Sequence, residues 1–525
     1  MPKNSASILT SAILLFLIIA AAVNVRLYSL EKNELILEGD ESIVALMAKH
    51  ILEKKSAPVF VYGQDYMGSF EAYTVSILFS VFGQSVKTVK TAPLLYSLIA
   101  AVFLLVLLKK EFGATAAVLS VLLYAVPPYL LVKWSLSPTG GHIENLLFSI
   151  IILLFVYKYF SSENIIYIPV ISFLSGLAFW INPFSIFLTV PFAVILFFSL
   201  KKNIKKLILI IFLFVIFFCA GSLPLIIYNI KNNGITFLKL GGFFLGVSGS
   251  AYKPGTNIIQ LFFAKLFSMV IIFPKGLFFL MRNIIQNLGN FYFDGVVYLA
   301  GMIYFAISEI KSKNKFYLTL IAYFLLITLV FSVSSRSNRD RYLIIYYPII
   351  FWSAAYVLKK FIVCCQNRKS VFCVAMTAAF FFLILTGNAY EIIKNNKSEE
   401  IAGFYDKIRI TSDYLKSNQI KYVFADMYIA YPLIFLTGEE IICSPYAGFY
   451  NEDRIKAYTE SVLANRGSTY IFLNNSWSEQ MIENKLKSLK KNYVKHNVYD
   501  YGIITLQDYI SPDSLDLPKR FKKRK

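Results

Sequence analysis

The sequence predicts a polytopic all-α membrane domain of about 11 transmembrane helices, with amphipathic interfacial helices in the first outer loop, and a small C-terminal extracytoplasmic α/β domain. Hydrophobic residues make up 57% of the 525 residues and charged residues 16%, whereas a soluble domain carries about 25% charged residues. The apolar residues lie in long blocks, and a block of about 18 residues crosses the bilayer core as a helix. The basic residues lie in short loops between these blocks.

The predicted spans share this apolar composition and lie near 7–24, 87–108, 114–132, 143–160, 165–181, 184–200, 207–229, 294–310, 316–333, 342–361 and 371–389. With a cytoplasmic N-terminus, the lysine-rich loops all fall inside, as the positive-inside rule requires. The net charge of +21 therefore reflects orientation in an inner or plasma membrane and contact with membrane lipids. Nucleic-acid binding is not expected.

Long segments divide the chain. Residues 1–390 form the predicted membrane domain, with outer loops at 25–86 and 230–293. Residues 391–510 form the predicted extracytoplasmic domain, and 511–525 a basic tail without fixed structure. In that domain, short β-like runs at 422–426, 440–444, 469–474 and 503–506 alternate with helical stretches at 428–437, 452–465 and 477–490. This alternation predicts a largely parallel sheet.

The first outer loop contains two predicted helices. The stretch from Gly39 places apolar residues on one face and ends in charged ones, and the apolar stretch from Phe70 to Phe82 is short for a span. Both are predicted to lie at the membrane surface.

Two adjacent carboxylates, Asp40 and Glu41, begin the first of these helices. On position alone Asp40 is suited to cap the helix by accepting a bond from a free N–H, and its functional alternative is to act as a general base. Capping would lower its pKa and weaken a base, so the two roles compete. The sequence leaves both open.

The loop from Tyr62 to Glu71 interleaves aromatic, amide and carboxylate side chains with glycines. This mixture is typical of a sugar-binding loop, and equally of a tight turn at the level of the lipid head groups, where tyrosine is favoured. The candidate sugar or acceptor ligands here are Tyr62, Gln64, Tyr66 and Glu71.

Between spans three and four, Glu144 begins an apolar helix and His142 precedes it. A carboxylate at that depth is costly unless it faces a cavity, which favours a functional role. The alternative is a charge favoured by the helix dipole. His142 is a further candidate sugar or acceptor ligand, although a lone histidine is more often a polar loop residue.

Three arginines, Arg336, Arg339 and Arg341, precede Tyr342 in a loop predicted to lie outside, where the positive-inside rule disfavours them. Arginine binds phosphate oxygens through paired N–H groups, so this loop is a candidate phosphate site. The alternative is pairing with Asp340 and with lipid phosphates in general. The histidines are far apart in sequence, and no metal or other cofactor is predicted.

Taken in order, these motifs resemble the GT-C superfamily of glycosyltransferases. The likeness is to the protein O-mannosyltransferase-like branch, which includes the aminoarabinose transferases of bacterial lipid A. It rests on Asp40-Glu41 after span one, the loop from Pro58 to Gly68, Glu144, and Arg341-Tyr342.

The resemblance implies an inverting enzyme that uses a polyprenyl-phosphate sugar donor. Asp40 would be the acid–base carboxylate, and Glu41 or Glu144 the second acidic residue. Arg341, with Arg339 or Arg336, would hold the donor phosphate.

Three other functions remain as alternatives. A lipid-linked sugar or solute transporter would place charges at the midplane of its spans, whereas the charges here collect at the outer interface. A surface polysaccharide polymerase or ligase would place its key basic residues in one late loop. A structural membrane component would tolerate Asp40→Asn. The sugar and the acceptor, whether glycan, lipid or protein, are not indicated.

Overall fold

The computed structural model describes residues 3–32, 36–245, 277–286, 293–333, 340–368, 371–396, 404–445, 453–510 and 512–515. The chain forms two compact units. The first comprises Met1–Leu30, Asp65–Phe70 and Lys90–Lys397, and the second comprises Glu31–Gln64, Glu71–Val89 and Ser398–Lys525. The first outer loop thus contributes mainly to the same unit as the C-terminal region.

The helices, in chain order, are α1 (Lys3–Lys32), α2 (Gly39–Leu52), α3 (Phe70–Phe82), α4 (Val86–Phe112), α5 (Ala114–Ala125), α6 (Tyr129–Trp134), α7 (His142–Ser162), α8 (Tyr167–Ile181), α9 (Ile186–Leu200), α10 (Ile204–Gly221), α11 (Leu223–Lys231), α12 (Ile235–Leu245), α13 (Leu277–Gln286), α14 (Phe293–Glu309), α15 (Lys315–Val333), α16 (Tyr347–Arg368), α17 (Val371–Asn395), α18 (Phe404–Ser417), α19 (Met427–Leu436), α20 (Lys456–Ala464) and α21 (Trp477–Ser488). The strands are β1 (Tyr422–Phe424), β2 (Ile442–Ser444), β3 (Thr469–Leu473), β4 (Tyr493–Val498) and β5 (Tyr501–Leu506). Short 3-10 turns lie at Pro183–Ser185, Asp340–Tyr346 and Pro512–Leu515.

Seven helices among the described residues are long and apolar enough to cross a membrane: Val86–Phe112, His142–Ser162, Pro183–Leu200, Ile204–Gly221, Lys315–Ser332, Asp340–Asn367 and Val374–Asn395. Each coincides with a predicted span. The other predicted spans fall on α1 and on the shorter apolar helices α5, α8 and α14. The chain is therefore a multi-pass membrane protein. In the predicted outer loop 230–293, residues 246–276 and 287–292 lie outside the described part, as do 511 and 516–525 of the tail.

The predicted span 114–132 is divided into α5 and α6 because Pro127 and Pro128 cannot supply backbone N–H donors. Carbonyl groups left at the end of α5 need partners inside the protein, since lipid supplies none. Ala125 O accepts from Nη1 of the fully buried Arg26 at 3.4 Å, and Val126 O accepts from Asn388 Nδ2 at 2.8 Å. Polar side chains of α1 and α17 thus stabilise the break.

Helices α8 and α10 approach each other through a reciprocal pair of glycines. A Cβ atom at Gly176 would lie 2.1 Å from Phe218 O, and one at Gly221 would lie 2.1 Å from Phe173 O. Without a hydrophobic driving force between helices in lipid, such close backbone approach is a main source of their association. Both positions therefore require glycine.

The second unit contains a five-stranded sheet of order β2-β1-β3-β5-β4. Strands β2, β1 and β3 are parallel, as predicted, whereas β5 pairs antiparallel with both β3 and β4. The sequence did not indicate β4 because its residues 494–497 (Val-Lys-His-Asn) are exposed at the sheet edge and carry no apolar alternation. The sheet is therefore mixed, with a parallel half and an antiparallel hairpin.

Helix α2, predicted to lie at the membrane surface, is buried from Glu41 to His50. At its C-terminal end a polar cluster centres on Glu439. Lys49 Nζ lies 2.5 Å from Glu439 Oε2, Tyr458 OH donates to Oε1 at 2.7 Å, and His50 Nε2 lies 3.1 Å from Oε1. Glu439 has a left-handed backbone (φ +70°), a strained conformation that these contacts support.

Burial by itself would raise the pKa of Glu439, but the hydrogen bonds from His50, Lys49 and Tyr458 together outweigh it. The net pKa of the carboxyl group lies well below its usual range. The ionised form is thus favoured in the folded protein, and the cluster stabilises the attachment of α2 to the segment after α19.

Substituting Gly176→Ala is expected to lower the stability of the helical unit, because the new methyl group overlaps the Phe218 carbonyl. Overpacking of this kind costs about 1–3 kcal/mol. The matched control is Gly301→Ala in α14, where the nearest atom, Ser353 Oγ, lies 3.9 Å from the new Cβ. Thermal unfolding in detergent should show a fall in midpoint for Gly176→Ala only, and equal midpoints would contradict the proposed packing.

Substituting Glu439→Gln is expected to lower the free energy of unfolding by about 3 kcal/mol at pH 7, because the Lys49 ammonium loses its buried partner. Since the folded-state pKa is depressed, this contribution is present above the unfolded pKa of about 4.3 and is lost as pH falls further. Glu440→Gln is the matched control, because Glu440 is exposed and pairs with Lys416 at the surface. Denaturant unfolding from pH 8 to pH 3 should show a difference that shrinks below about pH 4. A pH-independent difference would contradict the ionic explanation.

Candidate functional site

In the first turn of α2, the residues that cap the helix are different from the candidate catalytic residue. The helix begins after Glu38, whose backbone N–H donates to Glu41 Oε2 at 3.0 Å. Glu41 is 2% exposed and serves this cap. Asp40 is not the N-cap, and its side chain is 28% exposed. The carboxylate of Asp40 therefore takes no part in the helix cap, whereas that of Glu41 does.

An arginine that the sequence did not indicate lies beside Asp40. Arg454 Nη2 is 3.5 Å from Asp40 Oδ1. With the amide oxygen of Gln64 turned toward the guanidinium, that oxygen accepts from Nη1 at 2.7 Å and from Nη2 at 2.9 Å. The backbone N–H of Arg454 donates to Tyr431 OH at 2.6 Å. Asp40, Gln64 and Arg454, all in the second unit, therefore form one polar group.

Gly63 makes room for this arginine. Its backbone is left-handed (φ +72°), and a Cβ atom there would lie 2.6 Å from Arg454 Cδ. The glycine is thus required both by the turn and by the side chain that packs on it. No local pattern marked Arg454 in the sequence, because it lies 414 positions from Asp40.

The loop predicted as one sugar-binding segment has several environments. Tyr62 belongs to the second unit, where its OH lies 2.7 Å from Ser56 Oγ and 3.2 Å from His50 Nδ1. Burial raises the pKa of Tyr62, so its hydroxyl stays protonated and able to donate. Glu71 of the same unit is 2% exposed in the first turn of α3.

The middle of this loop belongs to the first unit. Tyr66 is half-buried there. Its neighbour Asp65 accepts from Tyr228 OH at 2.9 Å and pairs with Lys239. Gly68 N–H donates to Ile181 O at 3.0 Å. These contacts fix the loop against the ends of α8, α11 and α12.

In the first unit, Glu144 and His142 lie in the first turn of α7. Glu144 is 1% exposed, and its Oε1 accepts no hydrogen bond from any residue that the structure describes. The ring of His142 packs against Trp134, with centroids 5.4 Å apart, and against Tyr342 at 6.1 Å. The first turn of α7 thus carries both a histidine that packs in an aromatic cluster and a buried carboxylate.

The arginine loop contributes to the same cluster. The guanidinium of Arg341 lies 5.3 Å from the centroid of the Tyr342 ring, and the neighbouring Asp340 pairs with Lys133 at 3.6 Å. The structure therefore brings His142 together with Tyr342, whose ring also contacts the guanidinium of Arg341, although the histidine and the arginine loop are far apart in sequence. The other two candidates, Arg336 and Arg339, lie outside the described residues.

Within the described ranges, no group of three or more His, Cys, Asp or Glu side chains is arranged to hold a metal ion. The expectation that the protein needs no metal remains a prediction.

Part of the chain matches the model of a known protein family. The family described as dolichyl-phosphate-mannose-protein mannosyltransferase matches residues 69–222. These residues run from α3 to the end of α10 and include Glu144 and His142. No curated protein matches the chain.

Solved structures share the fold over nearly the whole chain. ArnT from Cupriavidus metallidurans bound to undecaprenyl phosphate has a TM-score of 0.60 at 14% identity, covering 96% of this chain and 99% of that one. The Archaeoglobus fulgidus oligosaccharyltransferase in complex with Zn and sulfate has a TM-score of 0.54 at 14% identity, covering 95% and 74%. AglB from the same archaeon, with an inhibitory peptide and a dolichol-phosphate, has a TM-score of 0.55 at 13% identity, covering 96% and 75%.

At these identities the likeness concerns the fold, and it agrees with the resemblance that the sequence motifs predicted. The chain is thus a multi-pass membrane protein that shares its fold with ArnT over nearly its whole length, and its residues 69–222 match the dolichyl-phosphate-mannose-protein mannosyltransferase family.

Proposed function

We propose that this chain is a glycosyltransferase that transfers a sugar from a polyprenyl-phosphate donor. The observation that carries the proposal is the partly exposed carboxylate of Asp40, which takes no part in the helix cap and lies beside Arg454 and Gln64 at the start of a buried helix. The shared fold supports the donor class, since relatives with this fold were solved with undecaprenyl phosphate and with dolichol-phosphate.

The side chains suit the chemistry of such a transfer. Asp40 is proposed to take the proton from an acceptor hydroxyl or amine as it attacks the anomeric carbon. Lipid phosphate is already a good leaving group, so a cation that stabilises its charge is sufficient. Arg341, supported by Tyr342, is proposed for that role, with Arg336 and Arg339 as further candidates. Attack opposite the leaving phosphate would invert the anomeric centre.

The remaining candidates have secondary roles in this proposal. Gln64 is proposed to bind sugar hydroxyls through its amide group. The other proposed sugar or acceptor ligands are Tyr62, Tyr66, Glu71 and His142. Glu144 is proposed as the second acidic residue. It is buried and lies in the first turn of a helix, where the helix dipole favours negative charge.

We place the reaction at the outer face of a cell inner or plasma membrane. The basic loops favour a cytoplasmic N-terminus, which puts the first outer loop and residues 391–510 outside the cell. A lipid-linked donor keeps its chain in the bilayer, so a reaction at the membrane boundary is the natural arrangement. Contact of the basic tail 511–525 with anionic head groups is part of the same proposal.

Substituting Asp40→Asn is expected to lower transfer by about 100- to 10,000-fold while donor binding persists, because the amide cannot accept the acceptor's proton. The assay uses purified protein in lipid nanodiscs, a panel of radiolabelled polyprenyl-phosphate sugars and a cell-envelope extract as acceptor. Asp406→Asn, an exposed carboxylate of the same unit, is the control. Wild-type transfer by Asp40→Asn would remove the base assignment.

Substituting Arg341→Ala is expected to weaken binding of polyprenyl phosphate by about 10- to 100-fold, since a charge-assisted hydrogen bond contributes about 1.5–3 kcal/mol. Lys133→Ala is the comparison, because this nearby cation is paired with Asp340 and should affect binding much less. Titration of each nanodisc sample with polyprenyl phosphate measures the affinity. Equal losses for both variants would indicate nonspecific attraction to phosphate.

A further inference from the structure

We propose that Arg454 is a positioning residue of the Asp40 site: its guanidinium fixes the orientation of both the Asp40 carboxylate and the Gln64 amide. This inference rests on the proposed function and deepens it. It assigns to the C-terminal region a part in the transfer reaction that neither the family match nor the likeness to solved structures specifies.

The arginine is held in place before it acts on its neighbours. Its side chain is 11% exposed, its aliphatic part packs on Gly63, and its backbone N–H donates to Tyr431 OH at 2.6 Å. A long side chain restrained in this way loses little further freedom when it binds its partners. Arg454 therefore has the rigidity that a positioning residue needs.

The guanidinium of Arg454 determines the orientation of the Gln64 amide. Arginine has N–H donors and no acceptor, so only the amide oxygen can face it. Both nitrogens of the fork donate to that oxygen, at 2.7 and 2.9 Å. The NH₂ group of Gln64 is consequently turned away from Arg454, where it can donate to a hydroxyl or ring oxygen of a sugar. Without the arginine, either amide orientation would be available.

The same guanidinium restrains Asp40. Nη2, which donates to Gln64, lies 3.5 Å from Asp40 Oδ1. This is the outer limit of a hydrogen bond, so the contact orients the carboxylate by charge and leaves it free to accept a proton. One nitrogen thus links the proposed base to the proposed sugar-binding amide. A displacement of about 1 Å in such a group can lower a rate by about 100-fold.

The first test compares arginine variants in the nanodisc transfer assay. Arg454→Ala should lower kcat by about 100-fold with less change in KM for the donor. Arg454→Lys should recover part of this loss, because an ammonium can face Asp40 but cannot form the fork to Gln64. Arg409→Ala is the matched control. Its guanidinium is also 3.5 Å from a carboxylate, that of Asp406, but both side chains are exposed.

Added guanidinium ion separates positioning from a purely structural role. Millimolar guanidinium should raise the kcat of Arg454→Ala by filling the space of the missing head group, and it should leave Arg409→Ala unchanged. A structural defect of the fold would not be repaired in this way. Absence of rescue in an Arg454→Ala protein that is folded, as judged by its unfolding midpoint, would overturn the proposal.

The second test displaces the arginine without altering it. In Gly63→Ala the new methyl group would overlap Arg454 Cδ, so kcat should fall as in Arg454→Lys. Gly83→Ala is matched, since its backbone is equally left-handed (φ +79°) and no atom lies within 4 Å of the new Cβ. Equal kcat for the two glycine variants would count against the proposal.

The outcomes distinguish this inference from the proposed function. If the wild-type protein transferred sugar from none of the donors in the panel, this result would contradict the proposed function itself. Normal transfer by wild type together with wild-type kcat for Arg454→Lys and Gly63→Ala would overturn the positioning role alone. If Arg454→Ala does not fold, these two variants decide the question.

Discussion

The arrangement of the first turn of α2 is the constraint on which the candidate site depends. The first four N–H groups of a helix lack partners within it, and a carboxylate near them is readily drawn into capping. Here the carboxylate of the neighbouring Glu41 caps the helix by accepting a hydrogen bond from the Glu38 N–H. Asp40, one position earlier, is left with a partly exposed carboxylate that contacts Arg454. Helix capping and proton transfer compete for a carboxylate, and a single acidic residue could not perform both. The adjacent Asp40 and Glu41 divide these two tasks between them.

Helix α2 is held at both ends by residues that come about 400 positions later. Arg454 contacts Asp40 at the beginning of the helix, and Glu439 binds Lys49 and His50 at its end. This explains why the first outer loop and the C-terminal sheet form one compact unit. The C-terminal domain is therefore part of the support of α2, and a change in its packing should reach the carboxylate of Asp40.

The sequence predicted those features that follow from local physical rules. Bilayer thickness and backbone hydrogen bonding require long apolar helices, so every predicted span falls on helical residues. Two of the predicted spans, 114–132 and 207–229, are each divided between two helices. The apolar strands β1, β2, β3 and β5 were recognised for a similar reason. Strand β4 was not, because it is a polar edge strand whose pairing with β5 depends on tertiary structure.

Features that depend on contacts distant in sequence could not be predicted. Arg454 is one charged residue in a polar stretch, and only the fold brings it to Gln64 and Asp40. His50 was one of three scattered histidines, yet it lies in a buried cluster with Glu439 and Tyr458. The capping question at Asp40 was also undecided, since Glu38, Asp40 and Glu41 are all suitable acidic residues and only the backbone geometry selects among them.

The two candidate carboxylates have environments that suit different tasks. A general base must reach the acceptor's proton and must return that proton to water after each turnover. Asp40, with 28% of its side chain exposed, can do both. Glu144 is 1% exposed, and one of its oxygens has no hydrogen-bond partner among the described residues. Burying an unsatisfied polar group costs about 1–3 kcal/mol, so a contact with substrate would recover energy at Glu144. The physical contrast thus favours Asp40 as the base and Glu144 as a group that binds.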